Sequence, residues 1–184
     1  MIWRLSHRAD PFARQIADRH YNRQKIGTPQ FVPPGRCMVL TADTDTGRAL
    51  WVTSWPFAEF VKHQWAGAWV CSAFRNEGAG VASDMIVQAV AATVHRYGPP
   101  PEPHRMITFL DCRKVRPIKV RGVETYGRSW ALAGFEHVGW TQGGLMAWQL
   151  RADRVPPPMP PIGSELPLFP LARQSATICE RNDA

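Results

Sequence analysis

Ala68-Trp69-Val70-Cys71-Ser72-Ala73-Phe74, then Arg75-Asn76-Glu77-Gly78-Ala79-Gly80, then the run from Val81 to Tyr97: this stretch decides the fold. Its first part is aromatic, β-branched or small and reads as a central strand. Its last part carries Met85, Ile86, Ala89, Val90, Thr93, Val94 and Tyr97 at helical spacing, one stripe of an amphipathic helix. Between them, glycines without a Cβ let successive backbone N–H groups face a phosphate, and the following helix adds unpaired donors and a positive dipole end. A tight strand-to-helix corner needs the same glycines without any ligand, so both readings stand.

Upstream, Ile2 to Ser6 reads as a short strand, and Asp10-Pro11 as a helix start with Asp as N-cap and Pro in the first turn. The helix is expected to run from Pro11 to about Asn22. Phe12, Ile16 and His20 fall four apart on it, which points the His20 imidazole toward the body of the protein. Gly27 to Gly35 is a proline-bearing loop, and Arg36–Leu40 and Ala49–Trp55 form a hairpin across the turn Asp43 to Gly47. Phe57 to Gly67 has no clean period.

Downstream, a Pro-rich loop from Pro99 to Pro103 leads to a strand from Met106 to Asp111, then to a basic connector. A helix from about Thr125 to Ala133 closes at Gly134, and His137 to Leu150 supplies one or two strands broken at Gly143-Gly144. From Val155 onward seven of the seventeen prolines fall between Pro156 and Pro170, and no period survives. The reading is a domain over residues 1–154 and a proline-rich tail over 155–184, able to lie on the domain through Leu166, Leu168 and Phe169.

The 184 residues suit one hydrophobic core, and 45% hydrophobic content with eight tryptophans makes wholesale disorder untenable. A net charge of +7 and a pI near 9.7 favour a polyanionic partner such as nucleic acid. Cys37, Cys71, Cys112 and Cys179 show no zinc-like spacing and read as free thiols. With no apolar run approaching about 18 residues, no membrane partner is expected and the cytoplasm of a host cell is the expected address.

The element order, strand, helix, hairpin, strand, glycine loop, helix, strand, helix, strand, resembles the GNAT acyltransferase superfamily, with Arg75, Gly78 and Gly80 matching its R/Q-x-x-G-x-G/A pattern. The resemblance implies an α+β fold of α/β/α layering: a mixed central sheet whose fourth and fifth strands splay apart. Within the superfamily the chain resembles the Mom family of phage DNA-modification proteins. The residues that carry this are His20-Tyr21, Trp51 to Trp55 with Pro56, Ser72-Ala73-Phe74-Arg75, and Asp111 after Thr108-Phe109-Leu110. It covers about residues 5 to 150 and leaves the tail outside. It implies transfer of a carbamoylmethyl or glycinamide-like group to adenine N6 of bacteriophage DNA, an anti-restriction mark. A plain acetyl transfer would not yield this product, so the donor, acetyl-CoA or another acyl or aminoacyl carrier, stays open, as do metal dependence and oligomeric state, a homodimer being one option.

Adenine N6 is a poor nucleophile because its lone pair is delocalised, so the site needs an oriented acceptor and close placement of donor and amine. Asp111 is the candidate acceptor; a capping aspartate is the alternative. The resemblance places the acceptor pocket at His20 and Tyr21, and without it His20 is a core histidine. Ser72, Arg75, Gly78, Gly80 and Ser83 are candidate donor contacts, with strand-end or helix capping as the alternative for Arg75 and Ser83. Tyr126, at the start of the last helix, is a candidate proton donor or a packing tyrosine. His20, His63 and Asp111 are the available metal ligands, in no ligand pattern. Arg113, Lys114, Arg116, Lys119 and Arg121, with Arg128 beyond, suit phosphate contacts or form a solvated basic loop. Attack on a paired adenine requires base flipping, for which Trp51, Trp55, Phe57 or Trp65 are stacking candidates if they are not core. The rival functions are a GNAT N-acetyltransferase for a protein or small-molecule amine, and a non-catalytic DNA-binding protein on the same fold.

Overall fold

The structure, a computed structural model, describes residues 1–32, 34–57, 61 and 63–163. Its elements are β1 (Arg4–Ser6), α1 (Pro11–Ala17), β2 (Gly35–Thr44), β3 (Gly47–Pro56), β4 (Trp69–Glu77), α2 (Ala82–Tyr97), β5 (Met106–Leu110), β6 (Ile118–Val120), β7 (Val123–Thr125), α3 (Arg128–Leu132), β8 (Phe135–Trp140) and β9 (Met146–Leu150). Seven strands form one sheet in the order β1-β2-β3-β4-β5-β9-β8, and β6 and β7 pair only with each other. Every neighbouring pair is antiparallel except β4 and β5, so the chain is α+β with a mixed sheet.

Asp10 caps α1, its carboxylate accepting from the Phe12 amide at 2.8 Å, with Pro11 in the first turn. The helix stops at Ala17 rather than continuing to Asn22. Beyond it the amides of His20 and Arg23 bond to carbonyls three residues back, and the Asp18 carboxylate holds Arg23 and the Gly27 amide. Those side-chain bonds draw the chain into tight turns, off the helical path.

The β2–β3 hairpin is longer than the sequence reading, ten residues a strand, and its turn shrinks to Asp45-Thr46. Alternation is absent because both faces are covered: Met38 to Ala42 and Ala49 to Ser54 are all buried. Leu40 and Trp51 pack with Ile86 and Val90 of α2 and with Trp130 of α3, whereas Val39, Leu50 and Val52 pack with Ala13, Ile16 and Ala17 of α1. The sheet therefore carries α1 on one face and α2 with α3 on the other. Inside, hydrogen bonds run from Trp51 Nε1 to Thr53 Oγ1 and on to Thr93 and the Ala89 carbonyl, whereas the buried Trp69 and Trp148 indole nitrogens have no hydrogen-bond partner among the described residues.

The break in the sheet positions the site. β4 and β5 pair only at Trp69–Met106, Val70–Ile107 and Cys71–Thr108. β4 runs on to Glu77 without β5 beside it, while Phe109 and Leu110 pair with Ala147 and Met146 of β9.

Three further boundaries differ from the sequence reading. The basic connector contains the β6–β7 ribbon, with Arg121-Gly122 at its tip. α3 begins at Arg128, because Gly127 adopts φ 71° where a Cβ would run into the Trp148 ring. Tyr126 thus precedes the helix instead of starting it. The described part of the tail is bound to the body: Ile162 exchanges backbone hydrogen bonds with Trp3 and Leu5, and the Met159 amide bonds to the Ala91 carbonyl. Leu166, Leu168 and Phe169 lie outside the described residues. Among the described residues no helix is long and apolar enough to cross a membrane.

Candidate functional site

A groove of about 830 Å³ opens on the α1 face where β4 and β5 part. His20, Tyr21, Ser72, Asp111 and Lys114 all line it, so the structure brings five of the sequence candidates together.

The turn after α1 spans the break. The Asn22 side-chain amide donates to the Ser72 carbonyl at 2.9 Å, and His20 hydrogen-bonds the backbone at Phe74, both on β4. Tyr21 donates to the Phe109 carbonyl on β5 at 3.2 Å. Backbone groups that lose a ladder partner when strands separate need another, and these side chains supply it. His20 is buried, stacks on Tyr21 with ring centroids 4.5 Å apart, and contacts the Asn22 side chain. Burial pushes the His20 pKa down, so the ring is neutral at pH 7. Burial likewise pushes Tyr21 up to about 12, which keeps its proton in place and makes it a hydrogen-bond donor.

Asp111 is 5% exposed and accepts from Arg113 three times: from the backbone amide at 3.1 Å, from Nε at 2.7 Å and from Nη2 at 3.0 Å. The hydrogen bonds from the Arg113 guanidinium hold its carboxyl below the usual range. Asp111 is therefore an ionised anchor and hydrogen-bond acceptor, and a weak base. Its carbonyl takes the amides of Lys114 and Val115, the capped turn weighed as its alternative role. Cys71 also lines the groove, but burial pushes its thiol far up and leaves it inert. Lys25 and Lys114 stand exposed at the rim with no salt bridge among the described residues.

The glycine-loop candidates lie elsewhere, beyond the far end of β4's unpaired run. The amides of Gly78 and Ala79 both donate to Asn76 Oδ1, at 3.1 and 2.9 Å, and Asn76 Nδ2 donates to the Gly80 carbonyl. Two of the amides expected to face a phosphate, those of Gly78 and Ala79, are thus taken by the protein's own Asn76 side chain. Gly78 also closes against the β2–β3 turn, its carbonyl accepting from Thr46 at 2.8 Å. Arg75 donates to Glu77 Oε1 at 2.6 Å and to the Arg19 carbonyl, and Arg19 donates to both oxygens of the same carboxylate. Hydrogen bonds from Arg19, then Arg75, bring the Glu77 pKa to about 2, which marks a structural tie between α1 and β4. Ser83 does not cap α2, whose N-cap is Val81; its hydroxyl meets Asp84 at 3.4 Å.

No family model, curated protein or solved structure matches this chain. Its chemistry is read from its own atoms.

Tyr126 is half-buried outside the groove, and Arg116, Lys119 and Arg121 are exposed along the ribbon and its root. Among the described residues no three His, Cys, Asp or Glu side chains converge as metal ligands, so His20, His63 and Asp111 form no triad. Of the stacking candidates, Trp51 and Trp65 are core, Trp55 packs on Trp69, and Phe57 is exposed. The sequence reading missed Asn22 and Lys25, although the polar run Asn22-Arg23-Gln24-Lys25 directly follows His20-Tyr21. It also missed Asn76, two residues ahead of Gly78, a spacing that favours an Asx turn.

Proposed function

We propose that this chain is a GNAT-type group transferase acting on the N6 amine of adenine in phage DNA, where it attaches a carbamoylmethyl or glycinamide-like group that blocks host restriction. The observation that carries the proposal is the groove at the β4–β5 break, with Tyr21, Ser72 and Asp111 on its walls and unpaired cations at its rim. Its volume lies within the range of small-ligand sites and accommodates a flipped base. Parting strands, the order of elements and α1 against the opposite face from α2 support the superfamily reading.

In this site Asp111 accepts from the adenine amine and orients it, Tyr21, its proton committed to the Phe109 carbonyl, forms the wall beside the base, and Lys25 and Lys114 receive the phosphates flanking it. The glycine loop is left without a role, because its amides already have a partner. That last fact, together with the Arg113 clamp on Asp111, favours the second reading, a DNA-binding protein without chemistry.

Nucleoside mass spectrometry of plasmid DNA from expressing cells separates the two. The wild-type chain is expected to yield a heavier deoxyadenosine. Asp111→Asn is expected to abolish it, a loss of at least about 100-fold for removal of a positioned acceptor, while DNA binding is retained, because the change removes a negative charge and releases Arg113. Unaltered deoxyadenosine in the wild-type sample sinks the transferase reading and leaves the binding protein standing.

A further inference from the structure

We infer that the β6–β7 ribbon is a reading device that enters the major groove of duplex DNA beside the target base. The inference rests on the duplex-DNA reading above. Residues 113–128 carry six cations, Arg113, Lys114, Arg116, Lys119, Arg121 and Arg128, against the single carboxylate of Glu124. In a chain whose net charge is +7 this segment holds +5; the ribbon itself carries Lys119 and Arg121 against Glu124, with Arg116 at its root and Lys114 beside the groove. Its strands bond only to each other, so nothing in the large sheet covers them.

The ribbon has two unlike faces. Ile118, Val120, Val123 and Thr125 share one, since Ile118 opposes Thr125 and Val120 opposes Val123, while Lys119 and Glu124 share the other. Ile118 is 45% and Val123 66% exposed, an apolar surface of methyl-bearing side chains held in water. Thymine methyls line the major groove and offer such side chains a partner, with phosphates on either side for the cations.

Size decides between the grooves. Two paired strands with side chains are about 10 Å across, which the major groove, about 12 Å wide, admits and the minor groove, about 6 Å wide, refuses. Three residues a strand reach about 10 Å, enough to touch the floor of a groove about 8.5 Å deep. Adenine N6 faces that same groove. At the tip, Arg121 holds φ 50° ahead of Gly122 at φ 84°, a two-residue turn in which asparagine is the favoured first residue. A five-donor side chain exposed there suits a guanine edge. The ribbon's root is fixed beside the site, because Asp111, on the groove wall, takes Arg113 and the amides of Lys114 and Val115.

The test measures binding of the full chain, without donor, to a duplex of about 20 base pairs by fluorescence anisotropy across a salt series. Lys119→Gln/Arg121→Asn keeps the turn geometry and removes two cations; it is expected to weaken binding more than tenfold and to lower the salt slope by roughly two. The same duplex carrying glucosylated 5-hydroxymethylcytosine, whose sugars fill the major groove, is expected to bind more than tenfold more weakly, whereas inosine for guanine, which alters the minor groove, leaves affinity unchanged. An unchanged slope in the double variant, or sensitivity to inosine and none to glucosylation, overturns the inference. Circular dichroism and thermal melting of the variant confirm that its fold is intact. Because no donor is present, the outcome is independent of whether modified deoxyadenosine is ever found: a binding ribbon with no product rejects the transferase, and product with an indifferent ribbon rejects this inference alone.

Discussion

At the scale of single residues the turn His20-Tyr21-Asn22 has two functions in one place. Its side chains take backbone groups on both sides of the β4–β5 break, and the same side chains face the groove. The cost of that position is visible in His20, whose burial disfavours the imidazolium. The folded pKa therefore lies below that of the unfolded chain, near 6.5, so the unfolded state binds the proton first as pH falls. Stability is expected to be full above about pH 7 and to decline as the pH passes below 6.5. Melting temperatures at pH 7.5 and 5.5 check this. His63 is shifted in the same direction by its own burial, so the fall in the wild type should be reduced in His20→Gln and in His63→Gln alike. A His20→Gln chain with the wild-type pH slope removes His20 from the account. His20 was legible in the sequence because it falls four residues after Ile16, although α1 ends at Ala17, but its role as a bridge was not, since spacing along a chain says nothing of a backbone group on another strand.

Elements show the same division. The strand, glycine loop and helix from Ala68 to Tyr97 were legible because each has a strong local signature, and α2 was misplaced by one residue at most. β6 and β7 were not, although β1 is equally short: with three residues each they are too few for a period, and Pro117, Lys119 and Glu124 disguise them as loop. The glycine loop taught a different lesson, since Gly78 and Gly80 were identified for backbone freedom and Asn76, which uses that freedom, was passed over. Asn76→Ala is expected to strand two amides at once and destabilise the fold by about 2 kcal/mol, or roughly 4–8 °C in melting temperature. If the loop holds an anionic donor, the variant should still bind it, and added acyl-CoA should restore part of the lost melting temperature. No loss in the variant shows that Asn76 is not the lock on this turn; a loss that acyl-CoA leaves untouched shows that the loop is purely structural.

For the whole molecule, the layering followed from composition and order, whereas the backbone bonds by which residues 159–162 meet the body did not. A stretch with no helical or strand period reads as a tail, yet a chain can add to a sheet by its backbone alone, and such pairing leaves no trace in side-chain pattern. β1 is an edge of the seven-stranded sheet, and Ile162 meets it in parallel, bracketing Arg4 with bonds to the Trp3 carbonyl and the Leu5 amide. Covering an edge strand in this way blocks pairing with another chain. The opposite edge, β8, has no such cover among the described residues, and Trp140 is 52% exposed on it. The strap from Val155 to Gly163 thus belongs to the domain energetically. Its three backbone bonds, at about 1 kcal/mol each, set a scale of about 3 kcal/mol. Comparing a chain that ends at Gly163 with one that ends at Arg154 isolates that contribution, and the shorter is expected to melt about 6–12 °C lower. It should also self-associate at concentrations where the longer stays monodisperse, since β1 then lies open. Equal melting temperatures with equal association would return residues 155–163 to the status of a tail and place the limit of the domain at Arg154.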